Sequence, residues 1–293
     1  MSNRFLGRLI TAMVTPFNEK DEVDYAEAIK LAEFLIHNGS DSILLTGTTG
    51  ESPTLTHDEE FTLYQELVKA LKGKTKIMAG TGSNSTRTAI NSTQNAEKFG
   101  VDAILQVVPY YNRPNQEGLY QHFKLIAENT SLPVLLYNIP GRTGRNLEPE
   151  TIARLSEIKN SIKEAAGSVD QVAKIRSLTS DDFIIYSGDD NLTLSFMEKG
   201  AFGVCSVASH IVGSQIKEMI NEFTLENYHD AKEIEKSLMP IFEILFITSN
   251  PIPLKAALNM MGFKVGKPRL PLIEANMEEK IKIKEILTQL KLI

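Results

Sequence analysis

Short, β-rich apolar runs alternate eight times with amphipathic helical runs along this chain of 293 residues. Such alternation is typical of a parallel sheet with crossover helices, and eight units favour a closed (β/α)8 barrel over an open sheet. The predicted strands are Leu9–Val14, Ser42–Thr46, Lys76–Ala79, Ala103–Val108, Val134–Tyr137, Ser161–Glu164, Phe183–Ser187 and Gly203–Val207. The predicted helices are Tyr25–Asn38, Asp58–Leu71, Thr86–Phe99, Gln116–Glu128, Pro149–Ile158, Val169–Ser177, Leu192–Lys199 and Ser214–Asn221.

The pattern changes after residue 224, where helical runs follow one another without strands between them. These runs are Leu225–Leu245, Pro253–Met261 and Met277–Leu290. We therefore predict an α/β fold in which a TIM barrel, the catalytic domain, covers residues 1–224 and a small three-helix region covers residues 225–293. Because no Gly/Ser linker separates the two, we expect the helical region to pack on the barrel.

Composition excludes several functional classes. Hydrophobic residues make up 42% of the chain, which permits a proper core, and a net charge of −6 without a basic run argues against a nucleic-acid partner. No apolar run approaches the roughly 18 residues of a membrane span, and no signal peptide is recognisable. The single cysteine, Cys205, fits a reducing cytoplasm, and the five histidines show no metal-ligand spacing. We predict a cytoplasmic protein without a metal ion.

Lys163 lies in the predicted sixth strand, which is an unusual place for a lysine. Burial disfavours the charged form of an amine, so we expect Lys163 to be uncharged and able to attack a carbonyl group. The alternative is a lysine at the barrel rim whose stem packs on the protein while its ammonium group stays in water.

The ends of other predicted strands carry further candidate residues, because active sites in this fold lie at the carboxyl ends of the strands. The segment Thr46–Ser52 is rich in glycine and hydroxyl groups, so it could hold an anion, although an ordinary tight turn is equally compatible. Tyr137 could transfer protons, or could be a buried tyrosine with a satisfied hydroxyl. Arg142 suits bidentate capture of a carboxylate, and otherwise is a surface charge.

Two tyrosines follow the fourth strand. Tyr110 and Tyr111 are adjacent, and tyrosine is enriched at protein interfaces, so an interface role is the simpler interpretation. His57 and His122 lie on predicted helices, and we expect both at the surface.

The exits of strands seven and eight carry small residues that leave room for a ligand beside Lys163. Gly188 follows strand seven, and Asp189 and Asp190 are most simply the cap of the next helix. Cys205 is better explained as a small packed residue whose backbone carbonyl lines the pocket than as a nucleophile.

Taken together, these segments resemble the dihydrodipicolinate synthase family from about Arg8 to Leu272. The motifs that carry the resemblance are Gly47–Glu51, Pro109–Pro114, Tyr137–Gly144, Ile162–Ala165, Gly188–Asp190 and Asn250–Pro253. Their order is specific for the wider superfamily of pyruvate-dependent, class I aldolase-like enzymes.

The resemblance implies a role for each residue that would contact substrate. Lys163 would form an imine with pyruvate, Thr49 and the amides of its loop would hold the pyruvate carboxylate, and the carbonyl of Cys205 would also touch pyruvate. Gly188 would belong to the substrate-binding wall. Arg142 would bind the carboxylate of the second substrate, aspartate semialdehyde. No metal or organic cofactor is implied.

The resemblance also implies a proton relay and an assembly. Tyr137 would shuttle protons, and Thr48 would link it to Tyr111. In the family, the tyrosine matching Tyr111 crosses a tight dimer interface into the partner's site. The implied assembly is a homotetramer built as a dimer of tight dimers.

Three other functions remain as alternatives. Sialic-acid (N-acetylneuraminate) lyases and 2-keto-3-deoxy-sugar aldolases of the same superfamily share the lysine and the tyrosine, but they generally lack the Gly141–Gly144 arrangement that contains Arg142. A non-catalytic barrel that binds a keto acid would not need the hydroxyl relay. A phosphate-binding barrel is disfavoured because Asp189 and Asp190 occupy an exit where phosphate sites usually lie.

Two departures from the family pattern affect what is expected. The run Lys159–Ile162 before the lysine is short, which could shift strand six or the loop before it. Ser52, His57, Asn84 and Tyr110 match part of the regulatory set of lysine-inhibited members, whereas Glu60 and Thr88 stand where a histidine and a glutamate would help bind lysine. We therefore predict weak inhibition by lysine.

Overall fold

The computed structural model describes residues 4–158 and 161–293. Within these residues, eight parallel strands pair in sequence order, and the eighth pairs with the first to close the barrel. The strands are β1 Leu9–Ala12, β2 Ser42–Leu45, β3 Lys76–Gly80, β4 Ala103–Val107, β5 Val134–Asn138, β6 Ser161–Glu164, β7 Ile184–Ser187 and β8 Gly203–Ser206. The predicted fold class is confirmed.

Helices connect the strands and continue after β8. In the described part of the chain they are α1 Tyr25–His37, α2 His57–Leu71, α3 Thr86–Lys98, α4 Gln116–Glu128, α5 Pro140–Thr143, α6 Pro149–Ser156, α7 Val169–Leu178, α8 Thr193–Met197, α9 Ser209–Thr224, α10 Tyr228–Ile244, α11 Ile252–Met260 and α12 Met277–Gln289. Asp24 and Thr56 cap α1 and α2, because their side chains accept hydrogen bonds from the first-turn amides of Glu27 and Glu59.

Two helices differ from the predicted pattern. Helix α9 begins at Ser209, well before the predicted Ser214, and contains a kink at Val212. The polar residues at its start suggest a loop, but His210 is fully buried and its Nε2 accepts a hydrogen bond from the amide of Val14 at 3.1 Å. The short helix α5 was not predicted, because its Pro–Gly sequence is typical of a turn.

The barrel has two apolar cores, because alternate residues of a strand point inward and outward. Inward-facing side chains such as Ile10, Leu44 and Leu135 fill the interior, and Tyr186 donates a 2.8 Å hydrogen bond to the carbonyl of Gly7. Outward-facing side chains pack against the helices in a second, larger core. Apolar side chains therefore fill the barrel interior except where polar residues such as Lys163 project into it.

The C-terminal helices pack on the barrel, as expected from the absence of a linker. Helix α10 lies along α9, and α11 reaches the loop after β2, where Lys255 pairs with Glu51. No helix in residues 4–158 and 161–293 is both long and apolar enough to cross a bilayer.

Strand β6 keeps its place in the sheet despite the short run before it. Lys163 pairs in register with Tyr137 on β5 and with Tyr186 on β7. Lys159 and Asn160, on which the expected shift partly depended, lie outside the described residues.

Candidate active site

Lys163 projects into the barrel near the carboxyl end of β6. Its side chain is buried, with only 4% of the residue exposed, and its Nζ atom lies 4.7 Å from the centroid of the Tyr137 ring. Because the two residues are register partners on neighbouring parallel strands, the sheet itself places the amine beside the phenol. The alternative interpretation, in which Lys163 lies at the barrel rim with its ammonium group in water, is therefore wrong.

The wall next to the lysine comes from β7 and β8. The thiol of fully buried Cys205 lies close enough to the amine of Lys163 to influence its pKa, so the side chain of Cys205 forms part of this wall. Gly188 lies so close that a Cβ atom there would approach Cε of Lys163 to 3.1 Å and Cβ of Ala165 to 2.5 Å. A side chain at this position would therefore have to displace Ala165, and it would also crowd the stem of Lys163.

The charge state of Lys163 differs from the expected one. Burial lowers the pKa of the amine, but the neighbouring Cys205, Tyr137 and Asp189 groups favour the ammonium form and together raise the pKa above its ordinary value. This direction argues against the expected uncharged amine, because interactions with groups on three other strand ends offset the effect of burial. The amine has to transfer a proton before it can attack a carbonyl.

The loop after β2 is held by buried hydrogen bonds. Thr49 is 3% exposed, and its Oγ1 accepts a 2.9 Å hydrogen bond from Nδ2 of Asn250. The hydroxyl of Thr15 donates to the carbonyl of Gly50 at 2.6 Å. Thr48 is half-buried next to Thr49. These contacts fix the backbone of a loop whose amides and hydroxyls line the strand exit.

Arg142 reaches the same region from α5. Its guanidinium group donates to the carbonyl of Asn250 at 3.4 Å, while the residue itself remains exposed to solvent. Asn250 therefore contacts both Arg142 and Thr49, and its own Oδ1 is buried with no hydrogen-bond partner in the described part of the chain. The motif Asn250–Pro253 did not indicate that Asn250 bridges Thr49 and Arg142, because its two partners lie far from it in the sequence.

Tyr111 lies at the surface of the single chain, after the exit of β4. Its side chain is 91% exposed, and its backbone has a φ of 72°, which is uncommon for a residue other than glycine. Tyr110 beside it is 39% exposed. Two exposed aromatic rings at a strand exit form a surface typical of a protein interface.

A buried carboxyl behind the lysine was missed by sequence reasoning. Glu164 is fully buried on the outer face of β6, and Nδ2 of Asn138 donates to both of its carboxyl oxygens at 3.1 Å. Gln171 and the amide of Ala166 donate to it as well. Burial raises the pKa of Glu164 to about 7. The cluster ties the end of β5, next to Tyr137, to the end of β6.

Two interpretations of charged residues need correction. Asp190 does not cap the helix that follows it. Its carboxylate accepts hydrogen bonds from the amides of Val207 and Ala208 and from the hydroxyl of Ser206. These hydrogen bonds connect the segment after β7 to the end of β8 and the turn that follows it. His122 is not at the surface but 5% exposed, with Nδ1 at 2.9 Å from the hydroxyl of Thr86, and burial lowers its pKa to about 4.

Comparisons with known proteins identify relatives over nearly the whole chain. The model of the dihydrodipicolinate synthetase family matches residues 5–290. A 4-hydroxy-tetrahydrodipicolinate synthase from a Cyanothece species is 53% identical over 290 residues, which are 98% of this chain and 99% of that protein.

Solved structures give the same result. The crystal structure of the synthase from Cyanidioschyzon merolae with lysine bound is similar at a TM-score of 0.97, with 47% identity over 99% of both chains. The chloride-inhibited synthase from Acinetobacter baumannii complexed with pyruvate has a TM-score of 0.95 and 38% identity, covering 98% of this chain and 100% of that one.

Proposed function

The chain belongs to the dihydrodipicolinate synthetase family, and on that premise we propose that Lys163 is the residue that binds its first substrate covalently. The activity is that of a 4-hydroxy-tetrahydrodipicolinate synthase, which is a lyase. The observation that carries the assignment of Lys163 is the position of its amine, which lies inside the barrel and 4.7 Å from the Tyr137 ring.

The reaction begins when the neutral amine of Lys163 attacks the ketone carbon of pyruvate. Loss of water gives an imine, and loss of a methyl proton then gives an enamine. The enamine carbon attacks the aldehyde of aspartate semialdehyde. The amino group of that substrate finally closes the ring on the imine carbon and releases Lys163, so the lysine is regenerated.

The two substrate carboxylates bind at two neighbouring positions. Thr49 and the amides of its loop hold the pyruvate carboxylate, and Gly188 and Cys205 leave room for its methyl end. Arg142 holds the carboxylate of aspartate semialdehyde from the pocket mouth. The contacts of Asn250 with Thr49 and with Arg142 support this arrangement, because the two residues assigned to the two carboxylates share one neighbour.

Protons move through the hydroxyl groups of Tyr137, Thr48 and Tyr111. The hydroxyl of Tyr137 takes up the proton that Lys163 must lose while it passes its own proton on to Thr48. Tyr111 completes the relay in the site of a second copy, so the active unit is a tight dimer and the assembly a dimer of such dimers. The 91% exposure of Tyr111 supports this proposal, because tyrosine side chains exposed in this way, here beside exposed Tyr110, are typical of protein interfaces.

Borohydride reduction in the presence of pyruvate, followed by mass spectrometry of peptides, tests the assignment. We expect one adduct, at Lys163. Absence of any adduct would favour a non-catalytic keto-acid-binding barrel. Turnover of pyruvate with aspartate semialdehyde, and none of N-acetylneuraminate, is the expected substrate pattern, and the opposite pattern would favour a sugar-acid lyase.

Imine formation should accelerate with pH. Because its neighbours raise the pKa of Lys163, the neutral fraction of the amine grows about tenfold per pH unit throughout the neutral range. We expect the rate of adduct formation at saturating pyruvate, measured by quenched flow between pH 6 and pH 8, to rise steeply. A plateau already reached at pH 6 would mean that the resting amine is neutral.

Lysine should inhibit this enzyme weakly. Glu60 is buried and is already engaged, since it accepts a 2.6 Å hydrogen bond from Ser52 and lies 3.3 Å from Nδ1 of His57. Thr88 supplies no carboxylate for the ammonium group of a lysine ligand. We expect no appreciable inhibition at lysine concentrations below about 1 mM. The Thr88→Glu variant should be inhibited by lysine more strongly than the unaltered enzyme. Sub-millimolar inhibition of the unaltered enzyme in a steady-state assay would contradict the prediction.

A further inference from the structure

A buried ion pair joins the loop after β2 to the C-terminal helical region. Oε1 of Glu51 lies 2.6 Å from Nζ of Lys255 on α11, and both side chains are only 1% exposed. Removing two charges from water is costly, and the cost is offset only when geometry and further hydrogen bonds are favourable. A buried ion pair of this kind is therefore weak evidence for a stabilising role alone, and a role in positioning nearby residues has to be considered.

Further contacts complete the surroundings of the pair. The other oxygen of Glu51 accepts a 2.9 Å hydrogen bond from the amide of Arg269, and Lys255 donates to the carbonyl of Lys267 at 3.3 Å. Nζ of Lys255 also lies 4.0 Å from the centroid of the buried Phe17 ring. Burial lowers the pKa of Lys255 to about 8, with Glu51 opposing that shift.

The position of Glu51 in the chain gives the pair its significance. Glu51 lies two residues after Thr49 and has a φ of 57°, a left-handed conformation that a glutamate adopts only when its surroundings hold it there. Asn250, which donates to the hydroxyl of Thr49, lies five residues before Lys255 at the entry to the same helix. The C-terminal segment therefore holds the Thr48–Glu51 loop at two points.

We propose that Glu51 and Lys255 are positioning residues that hold Thr48 and Thr49 in the geometry needed to bind the first substrate's carboxylate. Neither residue touches substrate. The three-helix region thereby becomes part of the catalytic unit, because its helix α11 sets the conformation of a loop that belongs to the barrel. This inference rests on the proposed function of that loop.

Two variants separate positioning from stability. Lys255→Met leaves the Glu51 carboxylate buried without its partner, so we expect the melting temperature to fall by about 10 °C. In the double variant Glu51→Gln/Lys255→Met no lone charge remains, and we expect most of the melting temperature to return. In both variants we expect KM for pyruvate to rise by about tenfold or more, because small displacements of binding groups weaken productive binding, with a smaller change in KM for the semialdehyde.

The matched control is Lys280→Met, which removes a 2.8 Å ion pair with Glu274 at the surface of the same region. We expect it to change neither melting temperature nor KM. If the double variant recovers KM for pyruvate together with the melting temperature, the pair is structural only and the proposal is overturned.

A readout that does not depend on activity keeps this test separate from that of the proposed function. Hydrogen–deuterium exchange of the peptide covering residues 46–55 should be faster in both variants than in the unaltered protein, and unchanged in the control. Unchanged exchange in the variants overturns the positioning role. Failure of the unaltered protein to form an adduct with pyruvate would instead overturn the proposed function.

Discussion

Lys163→Ala should abolish the pyruvate adduct and lower turnover by about four orders of magnitude or more, because no other group can take over a covalent step. The substitution removes an amine from inside the barrel, where Nζ is 4.7 Å from the Tyr137 ring, and leaves its acidic neighbours in place. Borohydride trapping with intact-mass analysis measures the adduct, and a coupled steady-state assay measures turnover.

The matched control is Lys76→Ala, which also removes a lysine from a barrel strand. Lys76 lies at the start of β3, its side chain is 47% exposed, and it pairs with Asp102 at the surface. We expect the control to keep the adduct and its turnover. An adduct that persists in Lys163→Ala at full yield would show that another amine is the nucleophile.

Arg142→Ala should lower kcat/KM for aspartate semialdehyde by about 100-fold, because it removes the guanidinium group that we propose binds the carboxylate of this substrate. The guanidinium is partly solvent-exposed, which limits the effect compared with a fully buried pair. Formation of the pyruvate adduct should be nearly unchanged, since Arg142 contacts the backbone carbonyl of Asn250 whereas Thr49 is held by the Asn250 side chain. Steady-state kinetics with each substrate varied in turn measure the difference.

Two further variants sharpen the interpretation of Arg142. Arg154→Ala removes an exposed arginine that pairs with Glu117 on α4 and should leave both substrates unaffected. Arg142→Lys keeps the charge but loses the bidentate geometry, so we expect an intermediate loss. Normal semialdehyde kinetics in Arg142→Ala would remove that residue from the site.

Much of the fold was predictable because its signals are local. Apolar runs of strand length, helix caps such as Asp24 and Thr56, and eightfold alternation all appear within short windows of sequence, and they define a barrel before any long-range contact is known. The start of α9 was not predictable in this way. Its buried His210 is satisfied by the amide of Val14, a partner 196 residues away.

The candidate site was predictable only as a set of residue types at strand ends. The barrel rule locates the ends of the strands, and the motifs supply a lysine, a tyrosine, threonines and an arginine. The pKa direction of Lys163 was not predictable, because one strand shows the burial of the amine but not the groups that three other strand ends bring to it. The cluster around Glu164 was missed for the same reason.

The order of residues along this chain was sufficient to establish a closed barrel, a lysine on its sixth strand and the family to which it belongs, because periodicity and motifs are encoded over short distances. What required the folded molecule was how distant segments control that lysine and its loop. Asn250 reaches Thr49, and Lys255 reaches Glu51, across some 200 residues of intervening sequence. Contacts between residues so far apart produce no periodic pattern in the sequence, because they form only when the folded chain brings those residues together.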